Sequence, residues 1–97
     1  MDIELACEAL RSGRVLEANY EGHVRSLEVH VVGYHENEGI MRVWQIRGGS
    51  SSQQPTGWKL MYLKKVRNAA ISVEQSQAPR PGFKRNDPAM SRILCEV

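Results

Sequence analysis

The sequence predicts a mainly β domain: five strands joined mainly by short turns and folded antiparallel into a small barrel, with a helix at each end. Three observations carry that expectation. From Arg14 onward apolar and polar residues alternate at period two, as strands with one buried face require. These segments are joined by short turns such as Glu21-Gly22 and Glu36-Asn37-Glu38-Gly39. Helical spacing appears only near the two ends of the chain. A length of 97 residues, 41% hydrophobic and 25% charged, supports one core and no second domain.

Asp2 is placed to cap a first helix, because Ile3, Leu5, Ala6, Ala9 and Leu10 recur at helical spacing and Gly13 stands where a helix stops. Val15–Tyr20 reads as a strand. A long strand follows from His23 to about His35, with Leu27, Val29 and Val31 on one face. Ile40–Ile46 returns from the second turn, and residues 47–57 form a Gly/Ser-rich loop between Trp44 and Trp58. Trp58–Leu63 is the fourth strand, Lys64–Asn68 a turn, and Ala69–Glu74 the fifth strand, with Ala69, Ile71 and Val73 alternating. Five strands on short connections suit an SH3-like (Sm-like) barrel. After Gln75 the period is lost, and Ala78-Pro79-Arg80-Pro81-Gly82 reads as an extended connection. Asp87-Pro88 has the form of an N-cap followed by proline, with Met90, Ile93 and Leu94 on one face, so a short C-terminal helix is expected. Residues 1–76 thus form the barrel with its first helix. Residues 77–97 form a connection and helix packed on the same domain.

No apolar run approaches the ~20 residues needed to span a bilayer. Met1-Asp2-Ile3-Glu4 is acidic where a signal peptide is basic, so a cytoplasmic protein without membrane contact is expected. Cys7 and Cys95 lie near opposite ends of the chain, and a bridge would close almost all of it into one loop. Two buried free thiols in a reducing compartment are the favoured reading, and neither cysteine has a Cys-x-x-Cys partner. Residues 1–46 carry four arginines and eight acids, a net −4, whereas residues 47–97 carry nine bases and three acids, a net +6. That split marks either a basic face for anions or two halves that attract each other on folding.

The order of parts resembles the WYL domain, a small SH3-like barrel found mainly in bacterial regulators. Tyr20, Gly22 and Arg25-x-Leu27-Glu28 are similar to the family's Tyr-x-Gly-x-x-Arg-x-Val-Glu-Pro segment, with Val29 in place of the proline. Met41–Ile46 falls where the Trp-Tyr-Leu strand lies and keeps only its aromatic character. Lys59–Val66 resembles the closing Arg-x-Phe-x-Leu-Asp-Arg-Ile segment, with lysine for both arginines, Met61 for Phe and Lys64 for Asp. The likeness covers about residues 5–75. It implies a ligand-sensing module for nucleotides or nucleic acid, working in transcriptional regulation. The family commonly carries a helix-turn-helix ahead of the barrel. A single N-terminal helix leaves no space for one here, so direct major-groove reading is not expected.

The candidate ligand site comprises Arg25, Trp44, Gln45, Arg47, Ser50, Ser52, Trp58 and Lys59. Arg25 shares parity with Leu27, Val29 and Val31, so it points to the apolar face or lies at the barrel's rim, where its charge needs an internal carboxylate or a bound anion. Lys59 beside Trp58 either joins ammonium and ring for a phosphate or base, or simply covers the indole. Gly48-Gly49 and Ser50–Ser52 offer backbone N–H groups to a phosphate, without the Gly-Lys-Ser/Thr ending of a P-loop; the plainer reading is a flexible hairpin loop. For the tryptophans, the plainer reading is packing. Lys64, Lys65, Arg67, Lys84 and Arg85 are the candidate nucleic-acid or anion patch, joined by Arg80 if the fold brings them together. His30 and His35 differ by five along a strand and point to opposite faces, so no metal pair is expected. No motif places a nucleophile beside its base. The expectation is therefore a non-enzymatic module without cofactor. It would bind a small anion, nucleotide or single-stranded nucleic acid, and signal to a regulatory protein through the loop. From a different class, a structural subunit would self-associate or dock through an exposed strand edge or the tryptophan face.

Overall fold

Asp2 begins the protein's only α-helix as the sequence predicts. In the computed structural model, which describes residues 1–97, α1 spans Ile3–Ser12, and the Asp2 carboxylate accepts the Glu4 N–H at 2.9 Å. Gly13 closes it in the left-handed conformation (φ 67°), its N–H donating to the carbonyls of Ala9 and Leu10. Ala6, Cys7 and Ala9 on the buried face lie against the sheet.

Six strands follow: β1 (Arg14–Tyr20), β2 (His23–His35), β3 (Glu38–Gly48), β4 (Gly57–Tyr62), β5 (Val66–Gln75) and β6 (Arg92–Glu96). All pair antiparallel, in the order β4-β3-β2-β1-β5, with β6 on β2. The first hairpin turns on Glu21 and Gly22, both at positive φ (52° and 80°), with Tyr20 opposite His23; this is the backbone that a two-residue hairpin needs. The second is tighter than expected, turning on Glu36-Asn37 alone, with His35 opposite Glu38. A single 3-10 turn, Leu63–Lys65, links β4 to β5.

The long strand β2 organises the molecule. Its first half pairs with β1 and its second with β6, while β3 follows it almost throughout. Every residue from Arg25 to Gly33 is buried, because the two faces are covered by different layers. Leu16, Leu27, Met41, Val43, Met61, Leu63 and Val66 pack under α1 on one side. On the other side the C-terminal arm covers Glu28 and His30, and a smaller cluster of Val31, Ile40 and Met90 includes Phe83 and Ile93 at its margin.

Three expectations need correction. The sheet is not closed: β4 pairs only with β3, and β5 only with β1, so both outer strands keep a free edge. The expected C-terminal helix is strand β6, preceded by a turn in which Asp87 accepts the Ala89 N–H at 2.9 Å and its backbone carbonyl accepts the Met90 N–H. The Asp87 carboxylate is engaged by Arg42 and caps no helix, while the residues after it fill the free edge of β2 beyond β1. Gly33 makes that pairing possible, since a Cβ there would lie 2.2 Å from the Arg92 carbonyl. Finally, Cys7 of α1 and Cys95 of β6 are not free thiols but a buried disulfide, with Cα atoms 6.0 Å apart. The bridge follows from β6, which carries Cys95 back beneath the first helix. No helix is long and apolar enough to cross a membrane.

Candidate functional site

Arg25, Ser50, Ser52 and Lys59 line one cleft of about 430 Å³, bounded by Tyr20, Glu21, Tyr62 and Lys65. Arg25, on β2, is only 3% exposed. Its Nε and Nη2 donate to the Tyr20 carbonyl at 3.2 and 2.9 Å, its Nη1 donates to Gln45 Oε1 at 3.3 Å, and the Tyr20 ring lies 5.2 Å from its centre. Both answers that the sequence left open are thus partly displaced: neutral oxygens hold the guanidinium, and Glu21 stands off at 4.0 Å. Burial pushes Arg25 below its ordinary pKa, with Glu21 and Tyr20 opposing.

Gln45 sits behind the cleft and ties it to the loop, since its Nε2 donates to the Gly49 carbonyl at 2.9 Å. Gly48 (φ 109°) lets the loop leave β3 hard against β2, where a Cβ would lie 2.3 Å from the Val24 carbonyl. Beyond it, Lys59 Nζ donates to Ser52 Oγ at 2.9 Å, to Ser50 Oγ at 3.3 Å and to the Gln54 carbonyl. The ammonium is therefore folded onto loop oxygens and has no carboxylate within ion-pair distance; neither has Lys65. Three cations line the cleft against one carboxylate, Glu21.

Trp44 and Trp58 are elsewhere. Successive residues of a strand project to opposite faces, so Trp58 cannot share a face with Lys59, nor Trp44 with Gln45. The two indoles oppose each other across β3 and β4, edge to face at 5.2 Å, and Trp58 meets His30 at 4.6 Å. Phe83 of the arm joins them, 5.2 Å from His30 and 6.2 Å from Trp58. Arg47 also lies outside the cleft, paired with Glu74 and 3.7 Å from Glu17. Its hydrogen bond to Glu74 raises the arginine and lowers the carboxyl.

The tryptophan face holds the polar groups that sequence reading missed. Glu28, 1% exposed, receives Arg80 Nε at 2.7 Å, Arg80 Nη2 at 3.2 Å and the Gln77 N–H at 2.7 Å. His30 is fully buried, and its Nε2 accepts the Arg80 N–H at 2.9 Å, which assigns the ring proton to Nδ1, donating to the Glu28 carbonyl. Burial holds this imidazole below its usual pKa of 6.5. The available signal was a carboxylate and an imidazole on the off-parity positions of an apolar strand, since such groups need partners once buried. A second cleft of about 300 Å³ opens here beside Arg42, Trp58 and Phe83.

The expected basic patch is divided. Lys65 lines the Arg25 cleft, Lys64 pairs with Glu38 at 2.7 Å, and Arg67 donates to the Lys64 carbonyl at 2.7 Å. Lys84 lies on the tryptophan face, and Arg85 pairs with Glu96 at 2.8 Å. Arg80, committed to Glu28, adds no free charge to either group. No three His, Cys, Asp or Glu side chains gather as a metal-holding set. No family model, curated protein or solved structure matches the chain.

Proposed function

We propose that the protein is a non-enzymatic, WYL-like ligand-sensing module with SH3-like strand order, whose Arg25–Lys59 cleft takes a small phosphate-bearing anion such as a nucleotide. The end of a single-stranded nucleic acid presents the same group. The observation that supports this is the state of Lys59: an ammonium resting on two serine hydroxyls and the Gln54 carbonyl, with no carboxylate partner, in a cleft whose cations outnumber its carboxylates. These neutral oxygens are weaker partners than a phosphate oxygen, so an arriving anion takes the ammonium, and Ser50 and Ser52 can turn their hydroxyls from Gln54 and each other toward it. That exchange would reorder residues 50–54, which gives the loop a bound and an unbound form that a regulatory protein can distinguish. Gln45 and Arg25 serve as the fixed floor.

Calorimetric titration with nucleotides and short oligonucleotides at two salt concentrations tests the reading. Saturable, salt-sensitive binding is expected, and Lys59→Ala should weaken it about ten- to hundred-fold, the range for a lost charge-assisted hydrogen bond. Trp58→Phe, on the opposite face, should leave it unchanged. The free edges of β4 and β5, with Val73 of β5 88% exposed, favour the structural reading instead. Absence of anion binding together with a stable dimer in sedimentation would decide for that alternative.

A further inference from the structure

The cleft on the tryptophan face is chemically unlike the Arg25–Lys59 cleft, and the function proposed above makes no use of it. Its apolar wall is the pair Trp58 and Phe83, with rings tilted by 32°. The Trp58 indole N–H has no acceptor within the protein, and no fully buried side-chain donor is left unpaired, so this N–H is not sealed from solvent. Gly82 (φ 93°) passes beside it: a Cβ there would stand 3.4 Å from Nε1. Lys84 is exposed and paired with no carboxylate. Arg42 is held on Asp87 through Nε at 2.8 Å and Nη2 at 3.2 Å, a fixed wall whose charge is already answered. With Arg42 and Lys84 against Asp87, the lining carries one net positive charge.

Each feature restricts the ligand. A volume of about 300 Å³ is at the lower limit for small-molecule sites and fits a single substituted ring system. A cationic ring would meet Lys84 unfavourably, and a neutral one would leave the unpaired Lys84 charge unanswered. We propose that this cleft is a second binding site, for a small planar aromatic monoanion of the aromatic carboxylate class. The ring lies against Trp58 and Phe83, and the carboxylate accepts from the Lys84 ammonium and the Trp58 N–H. The site is preorganised, because the arm that carries Phe83 and Lys84 is fixed by the Arg80–Glu28 and Arg42–Asp87 pairs.

The test is an NMR titration of the full nitrogen-labelled chain with benzoate and naphthoate, and with benzamide as the uncharged counterpart. The two indole N–H resonances are assigned with Trp58→Phe. The carboxylates should shift the Trp58 indole resonance saturably, and benzamide should bind about ten-fold more weakly or worse. Lys84→Gln, an exposed change that breaks no hydrogen bond, should weaken benzoate about ten-fold, while Lys59→Ala should not alter it. Inorganic phosphate should leave the Trp58 indole unmoved, which separates this site from the first cleft. A Trp58 indole unresponsive to both carboxylates, equal binding of benzamide, or a Lys84→Gln variant of unchanged affinity would each overturn the proposal.

Discussion

His30 shows how much one side chain depends on its surroundings. Within β2 it looks like a polar interruption of an apolar run, yet it is fully buried, donating from Nδ1 to its own strand and accepting at Nε2 from the arm. Protonation at Nε2 would replace an acceptor by a donor facing the Arg80 N–H, beside the Glu28–Arg80 pair and among Trp58 and Phe83. The sign follows directly. Burial lowers the folded-state pKa below the unfolded value of 6.5, so the unfolded chain binds the extra proton first. This contribution to stability is complete above pH 6.5 and is lost progressively as pH falls from there toward the folded-state value. Urea midpoints compared at pH 8 and pH 5 should fall on acidification, and His30→Gln should flatten that dependence. An equal slope in the variant would assign it elsewhere; Asp87, lowered by Arg42, loses its contribution only at pH below 3.8. Parity left Arg25 either on the apolar face or at the rim, and its burial and its oxygen partners were not legible. Tyr20 O and Gln45 Oε1 come from another strand end and from a residue 20 positions away.

Among the elements, the first helix and five strands were readable because each carries its own signal: a cap, a stop glycine, or alternation bounded by a turn. The last element was misread for a physical reason. Asp87 does accept the Ala89 N–H as an N-cap would, but the same carboxylate is paired with Arg42 and the residues after it pair with β2 instead of coiling. Ile93 and Cys95 point inward with Leu94 outward, a period-two pattern too short to overrule the N-cap reading. Backbone pairing with β2 then decides the conformation, at the one position where β2 has no side chain. Gly33→Ala should therefore uncouple β6, costing about 1–3 kcal/mol as an overpacked contact that meets backbone and cannot rotate away. Hydrogen exchange would check it: amides of Arg92–Glu96 should lose protection while those of β1 and β5 keep theirs. Undiminished protection of β6 would show that the strand shifts to make room.

At the scale of the whole molecule, the disulfide joins residues separated by 88 positions, the helix that opens the chain and the strand that ends it. Closing so long a loop restricts the unfolded chain strongly, so Cys7→Ser should lower the unfolding free energy by about 2–4 kcal/mol. Urea melts of the oxidised, reduced and Cys7→Ser protein check it; reduction and substitution should coincide, and a reduced protein as stable as the oxidised one would contradict it. The divided binding surface belongs to this scale too. The stretch from Trp44 to Lys59 presents aromatic and cationic residues side by side in sequence, and the pleat sends them to opposite faces, one toward the arm and one toward the loop. By itself the sequence determined the capped helix, the five strands and the first hairpin turn, because propensity, period and turn chemistry act within a few residues. Only the tertiary structure decided that the sheet stays open, that the tail is a strand, that Cys7 meets Cys95, and that one expected site becomes two clefts. Each of those depends on partners far apart in the chain, and no local pattern records which distant carboxylate, edge or thiol will be there to receive them.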